Sequence, residues 1–400
     1  MINRLFSRLN LGLILAGAAL ILSACSLPVR QSAVPQVWSE KAEVVGLPGV
    51  RYVVRSEMPA FTRDGIESYY RELAYLKKSG HDGPLPPANF LALSGGGDDG
   101  AFGAGLLCGW TAASDRPDFK GVTGISTGAL IAPFAFLGSK YDSVLREVYT
   151  RSTPGDILEA RNFFAAVFDD ALADNAPLGR LLKKYVTEDM LKDIAREYER
   201  GRLLLIATTN LDARQAIIWN MGKIAASGHP EALALFHKIM IASAAIPGAF
   251  PPAMIDVEAD GKRYQEMHVD GGAMAQVFLY PPSLKVADIS KQRGIVRERR
   301  LYIIRNARLD PDWAEVERRT LSIAGRAIAS LIQTQGVGDL YKIYAVTQRD
   351  GIDYNLAYIP KTFNAPHQED FDTDYMRTLF QTGYDLAVKG YRWDKTPPGM

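Results

Sequence analysis

Residues 119–137 constrain the fold more than any other stretch. A short β-favouring run at 119–123 ends in Gly124-Ile125-Ser126-Thr127-Gly128, and an apolar, helix-favouring run follows to residue 137. A strand that becomes a helix within five residues is a building unit of α/β folds, in which the helix returns across the sheet. The five residues read G-x-S-x-G. A sharp turn of this kind holds its central side chain in a strained position at the top of a sheet, and the flanking glycines admit neighbouring backbone without a Cβ clash. Ser126 also stands where the unpaired N–H groups of the following helix favour negative charge. Taken alone, the pattern reads equally well as an N-cap serine or as a nucleophile.

A second unit of the same kind precedes it. Residues 90–94 (FLALS) read as a buried strand, Gly95-Gly96-Gly97-Asp98-Asp99-Gly100 as a turn, and an alanine- and glycine-rich run to about 111 as a helix. Three readings compete for the turn. It can be a dinucleotide-binding turn, an oxyanion cradle built from free N–H groups, or a glycine-rich join that packs helix on sheet. Asp98 and Asp99 set two negative charges where a pyrophosphate would lie, and no acidic residue stands at a strand end at the ribose distance. Both weigh against the dinucleotide.

The remaining pattern continues the alternation of strand and helix. Helices are expected at 61–78, 141–149, 162–174, 177–185, 190–198 and 231–242, and strands at 203–208 and 216–219. A loop of small residues and prolines, 242–252, leads to a strand at 264–269 that ends in Asp270-Gly271-Gly272. A strand end is the usual place for functional groups on an α/β sheet, although an Asp-Gly turn alone is most simply a turn. A basic stretch at 285–300 precedes a strand at 301–305, a long helical region at 313–349, a strand at 354–359 and a helix at 372–389. The division expected is a signal peptide at 1–24, a tether and helical extension at 25–88, a catalytic domain at 89–285, and a C-terminal α/β extension at 286–400 packed on the same domain.

The beginning of the chain is of another kind. Arg4 and Arg8 are followed by an uncharged apolar run, 11–22, and by Ser23-Ala24-Cys25. This is the plan of a secretory signal, too short to span a bilayer as a helix. It resembles a bacterial lipoprotein signal. The resemblance implies cleavage before Cys25, lipid on that cysteine, and, with Ser26 in place of an aspartate, a site in the outer membrane of the cell envelope. Without Arg4 and Arg8, the balance of 46 basic against 45 acidic residues becomes 44 against 45. A chain so nearly neutral lacks the strongly basic face that nucleic acid requires. Only Cys108 remains beside Cys25, so no internal disulfide is expected, and five scattered histidines suggest no metal site.

Taken in order, the glycine turn, the G-x-S-x-G turn and the D-G-G turn resemble the patatin-like phospholipases over residues 90–285. The stretch at 177–178 and the loop at 242–252 share in the likeness. The resemblance implies a three-layer α/β fold with a mostly parallel central sheet and helices on both faces. It implies a serine acyl hydrolase acting on membrane lipid esters through an acyl-enzyme, with no cofactor. Ser126 would be the nucleophile and Asp270 its base. Gly95, Gly96 and Gly97 would form the oxyanion hole, Gly124 and Gly128 would frame the nucleophile, and Gly271 and Gly272 the aspartate. The residues also speak about histidine. A Ser…Asp…His order needs one after Asp270, and only His367 qualifies. His268 shares a strand face with Asp270 but reads more simply as structural. A Ser–Asp dyad is therefore expected, with partial burial raising the basicity of a carboxylate whose ordinary pKa is about 3.9. Two departures from the family pattern stand out: Asp99 where a basic residue is common, and Gln276 where an asparagine is common. Two other functions stay open: a non-catalytic envelope lipoprotein that binds lipid or a partner, and nucleotide binding at the glycine turn.

Overall fold

The computed structural model describes residues 30–161 and 170–400. Cys25, the signal segment and most of the helix expected at 162–174 lie outside the described residues. Among the described residues there are twelve strands. In chain order they are β1 Glu43–Val44, β2 Arg51–Val53, β3 Ala88–Leu93, β4 Gly121–Gly124, β5 Glu159–Ala160, β6 Ala173–Asp174, β7 Leu203–Asn210, β8 Gln215–Asn220, β9 Ala253–Ala259, β10 Lys262–Asp270, β11 Arg299–Arg305 and β12 Asp353–Tyr358. Ten of them form one sheet in the order β1-β9-β10-β7-β4-β3-β11-β12, with β8 and β2 branching from β7. The run β12-β11-β3-β4-β7 is parallel, and its flank is antiparallel. The apolar runs 90–93 and 203–206 are the central strands, buried on both faces as parallel strands are.

Helices cover both faces, so the fold is the three-layer α/β architecture. On one face Gly100–Ala112, Thr127–Leu137, Asp142–Arg151, Glu188–Glu199 and Ala232–Ser243 pack on Leu91, Leu93, Val122, Leu204 and Ile206. Helix Gly100–Ala112 is buried nearly all round, because Thr373–Val388 lies across its outer side. A Cβ at Gly105 would come within 2.0 Å of the Phe380 carbonyl oxygen, so the glycines let the two backbones touch. On the other face lie Met58–Lys78, Val286–Gln292 and the long helix Thr320–Asp350.

Several boundaries differ from expectation. Residues 313–319 are not helical, and the long helix begins at Thr320. Ala173 and Asp174 belong to a strand paired with Glu159 and Ala160. Strand β9 is not among the expected strands, yet Ile255, Val257 and Ala259 are buried in alternation with exposed Asp256 and Glu258. The tether expected up to residue 45 is docked from residue 30 onward. Arg30 holds Asp212 with a bidentate pair at 2.8 Å, and β1 pairs with β9. Among the described residues, no helix is long and apolar enough to cross a membrane.

Candidate active site

Ser126 lies between β4 and helix Thr127–Leu137 with φ +55° and ψ −128°. A non-glycine residue adopts that conformation only when its surroundings impose it. Here the N–H of Ser126 donates to Ser243 Oγ at 3.1 Å, and the N–H of Gly128 to the Ile125 carbonyl at 2.8 Å. A Cβ on Gly124 would lie 2.4 Å from the Gly128 carbonyl oxygen, and one on Gly128 would lie 2.4 Å from that of Leu93. Both positions therefore exclude any side chain. Ser126 makes no capping bond to the helix, so the N-cap reading of the motif does not fit. Its side chain instead stands beside the Asp270 carboxylate, near enough to act on that group's pKa.

The sheet explains how two residues so far apart in sequence meet. Strand β8 occupies one edge of β7 along residues 205–210. The other edge is shared. There β4 runs parallel up to the register Gly124–Ile206, and β10 runs antiparallel down to the register Asp270–Thr208. The two strands thus end facing each other, with Ala207 at the gap. Ser243 Oγ donates to the Ala207 carbonyl at 2.7 Å while it accepts from Ser126. One hydroxyl ties the nucleophile turn to the strand that carries both partners.

Asp270 is buried, its N–H donating to the Ala245 carbonyl at 2.9 Å and its Oδ1 accepting from the Gly272 N–H at 2.7 Å. Burial pushes its pKa up to about 7, against the opposing pull of Ser126 and of the Gly272 hydrogen bond. No histidine completes a triad. His367 Nε2 pairs with Asp98 Oδ2 at 2.7 Å. His268 lies in a closed chain of bonds behind the site. Trp219 donates to Thr208 Oγ1, Thr208 Oγ1 lies 2.8 Å from His268 Nδ1, and His268 Nε2 lies 3.0 Å from Glu266. Burial lowers the pKa of His268 and keeps it neutral, so it serves structure.

The glycine turn faces Ser126 from the end of β3. Gly96 has φ +157°, and a Cβ there would fall 1.9 Å from the Asn306 carbonyl oxygen. No described residue accepts from the N–H of Gly96, Gly97 or Thr127. The three glycines differ in this respect, because the N–H of Gly95 donates to the Gln276 carbonyl at 3.0 Å and is not free for an oxyanion. Asp98 and Asp99 both have partners: Asp98 accepts from the Phe371 N–H at 2.9 Å, and Asp99 from the Tyr375 hydroxyl at 2.6 Å. Burial raises the Asp99 pKa to about 6.

Gln276 joins the two turns. Its carbonyl holds Gly95, and its Nε2 donates to the Gly272 carbonyl at 2.7 Å. Asn306, just past β11, fixes the glycine turn from behind. Its N–H and Nδ2 donate to Ser94 Oγ and the Ser94 carbonyl at 2.8 and 2.9 Å, and its Oδ1 accepts from the Gly103 N–H. Asn306 belongs to no motif, and Ser243 stands in the loop at 242–252 without a role assigned to it. The only hint in the sequence is a polar residue closing an apolar helix or strand.

Gly97, Ser126 and Thr127 open onto a cleft of about 840 Å³. Its walls include Leu130, Phe134, Val148, Leu178, Leu182 and Phe250, and no lysine, arginine or histidine lines it. A pyrophosphate would find no cation there, whereas an alkyl chain would find a matching wall. The arrangement offers a serine hydroxyl against a basic carboxylate, free N–H groups beside it, and an apolar channel.

The comparisons with known proteins follow this geometry. Residues 91–281 match the model of the patatin-like phospholipase family. No curated protein matches the chain. Among solved structures the fold is similar to the crystal structure of VipD from Legionella pneumophila, at 10% sequence identity and a TM-score of 0.37, over 77% of this chain and 67% of that one. Residues 91–281 are thus a patatin-like phospholipase domain, of a family whose members hydrolyse lipids.

Proposed function

We propose that this chain cleaves carboxylic esters of membrane lipids through an acyl-enzyme on Ser126, with Asp270 as the general base. The observation that carries the reading is a strained serine that opens onto an apolar cleft and stands beside a buried carboxylate. In acylation, Asp270 takes the proton as Ser126 Oγ bonds to the ester carbonyl carbon. The N–H groups of Gly96 and Gly97, with that of Thr127, hold the oxyanion. As the carbon–oxygen bond to the alcohol breaks, the alcohol takes the proton from Asp270. Water then attacks the acyl-enzyme and gives a proton to Asp270, which returns it to Ser126 as the fatty acid leaves. The acyl chain occupies the cleft of Leu130, Phe134 and Leu182. A lipid anchor on Cys25 would hold the enzyme on the outer membrane, at its substrate. Loss of palmitate labelling on Cys25→Ser tests the anchor.

A fluorophosphonate probe is expected to label the protein, and peptide mapping to place the label on Ser126. Asp270→Asn is expected to lower kcat on a p-nitrophenyl ester by about 10²–10⁴-fold with the fold intact. Absence of labelling under conditions where a control lipase reacts, with phospholipid still co-purifying, would point instead to a lipid-binding protein without turnover.

A further inference from the structure

A second cavity lies on the opposite face of the sheet, in a gap between helices Met58–Lys78 and Val286–Gln292. It encloses about 1110 Å³, open solvent included, and its lining reaches the starts of β3, β4, β7 and β11, at the end of the sheet remote from Ser126. Its upper walls are apolar, with Phe61, Ile66, Phe90, Leu205, Leu279 and Ile352 among them. Its lower end is different. Lys120, Arg293, Arg297 and Arg299 all line it, and among the described residues no aspartate or glutamate does.

The strand register orders these two halves. Arg299 pairs in register with Ala88, and Phe90 with Gly121 and Gly121 with Leu203, at the lowest rungs. Thr123 and Leu205 stand two residues further up. Charge therefore lies at the lower end and hydrocarbon above it. The cations are not equally neutralised. Glu72 takes Arg297 in a bidentate pair at 2.7 Å and also holds Lys120 at 2.8 Å. Arg299 reaches no carboxylate among the described residues. It bonds only to Ser290 Oγ at 2.6 Å and to the Arg297 carbonyl at 3.3 Å. Burial and the neighbouring Arg297 cation lower its pKa more than Tyr280 and Asp350 raise it, so a further anion would be favoured there.

We infer that this cavity binds a single-chain anionic amphiphile, a long-chain carboxylate, with its head on Arg299 and its chain along the face of β3, β4 and β7. The inference stands apart from the reading of the Ser126 site, because the two cavities lie on opposite faces. It also accounts for a half-buried arginine without a carboxylate partner and for a gap in one layer.

Oleate is the probe, and the protein is delipidated full chain carrying Leu182→Trp, which blocks the Ser126 cleft. Calorimetry is expected to find one oleate bound per chain. Arg299→Gln is expected to weaken binding about tenfold, the scale of one lost charge-assisted bond. Oleyl alcohol is expected to bind without dependence on Arg299. Gly65 lines the cavity, is exposed on helix Met58–Lys78, and has open space where a Cβ would stand. Gly65→Phe is therefore expected to fold, since glycine is a poor helix former, and to abolish binding; unchanged melting temperature establishes the fold. No oleate on the Leu182→Trp chain, or equal affinity in the Arg299→Gln and Gly65→Phe variants, would overturn the inference.

Discussion

At the scale of the residue, Asp270 carries the pH behaviour. Its folded pKa of about 7 lies above its ordinary value, so activity is expected to rise with pH through about 7 and then level off, as the free carboxylate becomes available. Stability runs the other way. A group with a raised folded pKa supports the fold below its unfolded pKa and loses that support as pH rises through the folded one. Asp270→Asn is therefore expected to melt above the wild type at pH 8, by no more than about 4 kcal/mol, and to match it at pH 4. Paired melts at the two pH values check this. Glu266 behaves oppositely. Arg51 and His268 hold its pKa down to about 2 despite burial, so its contribution is lost as pH falls from about 4.5 toward 2. Arg51→Met, which strands that buried carboxylate, is expected to cost about 3–5 kcal/mol in urea unfolding at pH 7.

At the scale of the element, Ser243 is a positioning residue. It closes helix Ala232–Ser243 and bridges Ser126 to β7. Ser243→Ala would leave a buried N–H and a buried carbonyl without partners, at about 1–3 kcal/mol. The expected kinetic signature is a fall in kcat with KM unchanged, because the cleft walls stay in place. The glycine, serine and aspartate turns were legible in the sequence because each stands at a strand end and demands small residues. Ser243, Asn306 and the docking of residues 30–53 were not. Their roles come from contacts with strands far away in sequence, and a serine that closes a helix looks the same whether or not it bridges two strands. Residues 313–319 misled for the opposite reason. They continue a helical composition, but they lie exposed outside the packing that would fix them as helix.

For the whole molecule, the stretch that matches the lipase family is not a closed unit. Cutting after residue 281 would remove β11, which pairs with β3 over six residues, and with it Asn306 and helix Thr373–Val388. The core strand β3 would become an open edge. A fragment of residues 91–281 is thus expected to be insoluble or unlabelled by fluorophosphonate, while residues 30–400 are soluble and labelled. Solubility and labelling of the two, side by side, decide it.

The meeting of β4 and β10 along one edge of β7 has a consequence for evolution and for engineering. The separation between Ser126 and Asp270, the proposed nucleophile and base, is measured in residues of a third strand that supplies neither. β7 acts as a ruler, with one unread mark, Ala207, between the two strand ends. An insertion or deletion there would shift one catalytic group past the other by about 3.3 Å, the rise of one strand residue, and leave every motif intact. Two chains can therefore carry identical glycine, serine and aspartate turns and still differ in whether those turns meet.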